Sequence, residues 1–211
     1  MAEVGFPVML DLVDAPCLVV GAGRVASMKI SGLLAARASI TVVAPDVSQS
    51  VASLSAAGEI TLEQRPYLDG EAARFVFVTT ATGDADVDAK VSHDARSAGR
   101  FVNAADTPAQ CTALLPSVAR AGAVVISVST TGRSPALAAW LRRRIEDLLP
   151  NDIAIAAALL GEGRQSLRDG GFSTEEVGFG DIVGDVVDLV AQGQIDQARG
   201  LIAGLTPRSS I

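Results

Sequence analysis

CLVVGAGRVAS, residues 17–27, runs from an apolar tetrapeptide into two glycines one residue apart, then into a helix-compatible segment. Gly21, Gly23 and Ala26 fit the spacing G-x-G-x-x-G/A, which joins a buried strand to a helix in dinucleotide-binding folds. The first glycine permits a tight turn and the second lets the backbone approach a pyrophosphate. The third position needs only a small side chain for helix–sheet packing, so Ala26 serves. The helix that follows aims its N-terminal amides at the anion. One part of the fingerprint is missing: an acid at the end of the second strand to hold the ribose hydroxyls. That strand ends in TVVAPD, with Ala44 at the acidic place and Asp46 two residues later. Asp46 either reaches the ribose from the loop or caps the next helix. No arginine follows the strand closely, which favours NAD over NADP.

Outward from this turn, short β-branched runs alternate with helix-like segments. Strands are expected at 17–20, 40–44, 60–64, 75–80, 101–104 and 124–128, with helices at 24–36, 47–57 and 86–98. Several of the strands are almost wholly apolar, as strands covered by helices on both faces are. The alternation predicts an α/β fold, a Rossmann-like doubly wound parallel sheet. Asp84 or Asp86 is placed to cap the third helix. In STTGRSPALAAWLRRRIEDLLP, Ser134 stands as N-cap and Pro135 at the first helical position, with Pro150 closing the helix. From 151 onward apolar residues recur at helical spacing with glycines as stops, which predicts a small helical domain. Its stretch GEGRQSLRDGGFSTEEVGFG is expected to contain a mobile loop. The expected division is 1–113 for nucleotide binding, 114–150 as a separate segment, and 151–211 for the helices.

Composition narrows the function classes. Of 211 residues 49% are hydrophobic but only 4% aromatic, so the core is aliphatic. No apolar run approaches the roughly 20 residues a membrane span needs. MAEVGFPVML lacks a basic leader and a cleavage site. Cys17 and Cys111 form neither a disulfide framework nor a metal spacing. A reduced, cytoplasmic protein is the simplest reading. The net charge of −7 argues against a nucleic-acid surface. Arg142, Arg143 and Arg144 are consecutive and so span about 200° of a helix, which leaves a solvated surface or an anion-facing role open. His93, the single histidine, reads as a surface residue, and Tyr67 and Trp140 as packing.

Four further stretches complete the pattern: FPVMLDL before the glycine turn, FVFVTTATGDADVDAKV, FVNAADTPAQCTALLPSVARAG, and ISVSTTGRSPALAAWLRRRIEDLLP. In this order and spacing, over roughly residues 5–150, they resemble the siroheme-synthase dehydrogenase family. That family oxidises precorrin-2 to sirohydrochlorin with NAD, and some members also insert ferrous iron to make siroheme. The resemblance implies a homodimer whose interface is the segment 114–150. It implies cofactor contacts from Gly21, Gly23, Arg24, Val25, Pro45 and Asp46, with Thr80 and Ala81 near the nicotinamide. It matches Asp106 of the NAAD stretch to the family's important carboxylate, a candidate proton acceptor for both reactions. Asn103, Ser129, Thr130 and Ser134 are implied on the substrate side. A tetrapyrrole rich in carboxylates calls for cations, and Arg120, Arg133, Arg142 and Arg144 are the candidates. Two departures stand out. Thr131 occupies a place where the family usually has glycine, so that backbone is expected to differ, and Thr130 stands where serine is common. Cys111 matches a family cysteine and reads as packing. No metal site is expected, so iron would be a substrate. The competing readings are a regulatory nucleotide-binding module and a dehydrogenase for another small substrate.

Overall fold

The computed structural model describes residues 5–105 and 107–205. The chain divides into two compact units, 1–115 and 116–211. In the first, β1 (Pro16–Val20), β2 (Ser39–Val43), β3 (Thr61–Glu63), β4 (Phe77–Thr80) and β5 (Phe101–Ala104) form one parallel sheet ordered β3-β2-β1-β4-β5. The connecting helices are α1 (Arg24–Ala35), α2 (Gln49–Ala56) and α3 (Ala85–Ser97).

Two-residue alternation along the strands builds two cores, one on each face of the sheet. Cys17, Val19, Val42 and Phe77 pack with Ala26, Ile30 and Leu33 of α1 and Val51 of α2. Leu18, Val20, Val43, Val78 and Val102 pack with Val91 and Ala95 of α3. This is the expected doubly wound arrangement, and each such buried aliphatic contributes about 1.5–3 kcal/mol. Burial pushes the Cys17 thiol up to about 11, partly offset by a backbone hydrogen bond at Phe77, so it packs as an unreactive group.

One polar knot lies within this unit. The buried Glu71 carboxylate accepts two bonds from Arg65, at 3.0 and 2.7 Å, and one from the Leu68 amide at 2.7 Å. Burial pushes Glu71 up, but the Arg65 guanidinium and the Leu68 N–H outweigh it and hold the carboxyl below its usual range.

The second unit opens with a hairpin of β6 (Ser117–Ala121) and β7 (Val124–Val128), followed by α4 (Pro135–Glu146). Here the sequence reading needs correction. The strand at 124–128 forms, but it pairs antiparallel with β6 and does not join the parallel sheet. The partner strand, SVARA, was not anticipated because it carries only one β-branched residue. Its turn residue Gly122 has φ +56, and a Cβ there would stand 2.9 Å from Ala154 Cβ. Ser134 caps α4, its Oγ accepting from Leu137 N at 3.2 Å, as expected. Pro150, however, does not close α4. That helix ends at Glu146, and Pro150 is the N-cap of α5 (Asn151–Asp169).

The tail continues with α6 (Val183–Ala191) and α7 (Ile195–Ala203), which share a core of Ala156, Leu159, Phe179, Val186, Val190, Ala198 and Ile202. Of the stretch expected to contain a loop, residues through Asp169 are helical, with Gly161 and Gly163 inside α5, and the non-helical part runs over 170–178. Glycine costs a helix interior about 1 kcal/mol, which packing here overrides. Among the described residues no helix is long and apolar enough to cross a membrane.

Candidate functional site

Strand register decides where the first unit can work. Val20 pairs with both Val43 and Thr80, and Thr80 pairs with Ala104. Four adjacent strands therefore finish level, and Ala44, Gly21, Ala81 and Ala105 begin the connections along one carboxyl edge. The order of connections reverses between β1 and β4, which is where open α/β sheets take their ligands.

Gly21 stands at that reversal with φ +107, and a Cβ on it would lie 2.5 Å from the Ala81 carbonyl oxygen. Only glycine permits this crossing of the two connections. Gly23 is the N-cap of α1, with neither a side-chain cap nor an acid in the first turn. A Cβ on Gly23 would meet nothing within 4 Å, so open space lies beside this uncapped start. An uncapped helix start beside open space suits a dinucleotide pyrophosphate, and the residues present fit that group. Arg24 is exposed and Val25 half-buried in the same turn, and Pro45 and Asp46 are exposed beyond β2. The N-cap of α2 is Ser48, so Asp46 does not cap that helix.

Several residues shaping this edge carry no clear sequence signal. Asp88, one turn into α3, is buried and accepts from Thr80 Oγ1, from Thr82 Oγ1 at 2.7 Å and from Thr82 N at 3.3 Å. The Thr80 hydroxyl is thus turned inward, and Asp88 fastens the loop that touches Gly21. An acid early in a helix reads simply as a complement to the helix dipole. Asp84 caps α3 as expected, accepting from Asp86 N at 3.0 Å and Val87 N at 3.2 Å. A serine chain ties the starts of α1 and α2: Ser27 Oγ lies 3.1 Å from Ser50 Oγ, which lies 3.1 Å from Ser48 Oγ. Ser48 N also donates to Ala22 O at 3.2 Å.

Asn103 lies in β5, with its side chain occupied on both sides. Its Oδ1 accepts from Lys29 Nζ at 3.1 Å, and its Nδ2 donates to Ala113 O at 3.0 Å. The Cys111 thiol accepts from Ala104 N at 3.2 Å and donates to Ala104 O at 3.3 Å, a structural role rather than a nucleophilic one. Asp106 lies outside the described residues. His93 is exposed, as expected. Among the described residues no group of three or more His, Cys, Asp or Glu could hold a metal ion.

In the second unit, Ser129, Thr130, Thr131, Arg133 and Ser134 share the turn between β7 and α4. Thr130 Oγ1 accepts from Ser134 N at 3.0 Å, and Thr130 O accepts from Arg133 N at 3.0 Å. Thr131 has φ +52, the left-handed region that glycine favours. A β-branched residue there carries about 1–2 kcal/mol of strain, so the threonine occupies a backbone suited to glycine. Of the four candidate arginines, Arg120, Arg133 and Arg144 are exposed and Arg142 is half-buried. Arg142 pairs with Glu146 along α4, and Arg144 stacks on Trp140 at 5.0 Å from the ring centroid.

Comparison with known proteins adds the following. A family model described as "Putative NAD(P)-binding" matches residues 8–117, and one described as "Sirohaem biosynthesis protein central" matches 125–148. The siroheme synthase of Methylobacillus flagellatus is 37% identical over 201 residues, which is 92% of this chain and 42% of that protein. The siroheme synthase of Pseudoalteromonas atlantica is 30% identical over 200 residues, 93% of this chain and 43% of that one. The chain thus spans about two-fifths of the length of these curated relatives. A solved structure described as "SirC, precorrin-2 dehydrogenase" shares the fold with a TM-score of 0.76 at 24% identity, covering 94% of this chain and 99% of that chain.

Proposed function

On the premise that this chain belongs to the NAD(P)-binding family found in siroheme synthases, we propose that it oxidises precorrin-2 to sirohydrochlorin with NAD. The observation that carries the reading is the level carboxyl edge. Gly21, the uncapped start of α1 and the Asp88-fastened loop gather there, and Asp106 follows β5 in sequence. When bound, the nicotinamide supplies the hydride acceptor.

The chain's own residues divide the remaining work. The amides of Gly23, Arg24 and Val25 hold the pyrophosphate. Asp46, released from any capping duty, accepts from the ribose hydroxyls. No arginine follows β2 closely in sequence, which favours the unphosphorylated cofactor. Thr80 and Ala81 border the nicotinamide through their backbone, because the Thr80 hydroxyl is spent on Asp88. Asp106 takes the proton released as the hydride leaves. Ser129, Thr130 and Ser134 contact the substrate, and Asn103 supports that side from within. Arg120 and Arg133, exposed and unstacked, are the leading partners for the substrate carboxylates, with Arg142 and Arg144 next. The segment 114–150 forms a homodimer interface. Its exposed Leu137, Trp140 and Leu148 support that reading. Ferrous iron enters as a second substrate where the relatives' name is taken over in full.

The test is anaerobic incubation with precorrin-2 and NAD, followed by addition of ferrous ion. Reduced nicotinamide and sirohydrochlorin are expected. Neither forming refutes the proposal, and equal rates with NADP refute the cofactor assignment. Sirohydrochlorin metallated no faster than the spontaneous rate rejects iron insertion. Asp106→Asn is expected to lower kcat by about 10²-fold or more, the scale of a lost proton acceptor, and normal turnover removes Asp106 from the reaction.

A further inference from the structure

Along α1, Ala26, Ile30 and Leu33 face the sheet and are buried. Lys29 sits beside this apolar face, where an ammonium costs desolvation that an aliphatic residue would avoid. It is half-buried and donates to Asn103 Oδ1 at 3.1 Å, across 74 residues of sequence. Asn103 is only 6% exposed, and it is the point where several bonds meet. Its Nδ2 donates to Ala113 O, and its carbonyl accepts from Thr79 Oγ1 at 3.1 Å. The return segment beyond it is bound back to β5, with Thr112 N and Ala113 N both donating to Val102 O at 2.9 and 3.0 Å. In sequence, Asp106 falls between Asn103 and this return. A charged hydrogen bond therefore joins the helix that begins at the glycine turn to β5, the strand that Asp106 follows in sequence.

We propose that Lys29 is a positioning residue of the reaction: through Asn103 it fixes the cofactor-binding helix relative to the strand end that carries the proton acceptor. The inference rests on the assignment of Asp106 made above. Hydride transfer and proton removal are served by two separate elements, so their spacing depends on what ties those elements together. A displacement near 1 Å can cost about 10²-fold in rate. No apolar contact offers the same directional constraint as a charge-assisted hydrogen bond.

The experiment compares wild type, Lys29→Met and Lys29→Arg by steady-state kinetics and by hydrogen exchange at the Ala104, Thr112 and Ala113 amides. Lys29→Met is expected to lower kcat about 10- to 100-fold. The Kd for NAD and the KM for precorrin-2 are expected to stay within about twofold of wild type. Lys29→Arg, which keeps a cationic donor, is expected to recover most of the rate. Exchange at the three amides is expected to quicken in Lys29→Met alone. Parallel loss of kcat and of NAD affinity overturns the proposal, because that marks a damaged fold. Arginine no better than methionine also overturns it. If wild type itself leaves precorrin-2 unchanged, the proposed function fails, and the exchange data still decide the link: unchanged protection in Lys29→Met overturns it.

Discussion

The parallel sheet and the hairpin with α4 draw on similar apolar residues and end in opposite conditions. In the sheet, Leu18, Val19, Val42, Val43, Val78 and Val102 are completely buried, because helices cover both faces. In the hairpin region, β7 has no buried residue, and α4 buries only Ala138. Trp140 is 46% exposed and Leu148 75%. The tail helices do have a core of their own, so within the second unit the thinnest burial lies in the hairpin and α4. The first region completes its fold internally. The second retains apolar surface suited to covering by another molecule, which is the physical content of the proposed dimer.

Three changes probe that contrast. Gly21→Val drives a Cβ against the Ala81 carbonyl and forces an unfavourable φ, so a loss above about 3 kcal/mol is expected by denaturant unfolding. NAD binding should be lost with it. A loss below about 1 kcal/mol would break the picture of a tightly closed first unit. Glu71→Gln leaves the Arg65 guanidinium with Glu63 as its remaining charged partner, at a cost of about 2 kcal/mol near neutral pH. The folded carboxyl lies below its unfolded value, near 4.3. Its contribution is therefore complete above that value and vanishes as pH falls through the lower folded one. The stability difference between Glu71→Gln and wild type should narrow accordingly on acidification, and a constant difference contradicts this account. Trp140→Asp should change the stability of the fold by no more than about 0.5 kcal/mol, as surface substitutions do. It should nevertheless convert a dimer to a monomer in sedimentation while NAD binding persists. Unfolding of the variant would show that Trp140 belongs to a core after all.

What could be read from residues alone follows the same divide. Consecutive apolar runs such as Cys17–Val20 state their burial directly, and the glycine turn announces the edge at which ligands bind. SVARA says little, because β6 is a strand only through its pairing with β7. Pro150 was read as an ending and serves as a beginning, since proline suits a helix start as well as it breaks a helix. Asp88, Lys29 and Cys111 were not legible as parts of the edge. Each acts through a partner distant in sequence or through backbone atoms, neither of which local spacing reveals. Thr131 shows the opposite case: the residue type pointed to an altered backbone, yet the left-handed geometry suited to glycine is present.

The bonds gathered by Asp88 bear on how a ligand arrives. The loop against Gly21 is held in place before anything binds, so the fraction of molecules ready to receive a cofactor is close to one. Apparent affinity then equals intrinsic affinity. The observed association rate should rise linearly with cofactor concentration instead of levelling off at the rate of a slow opening step.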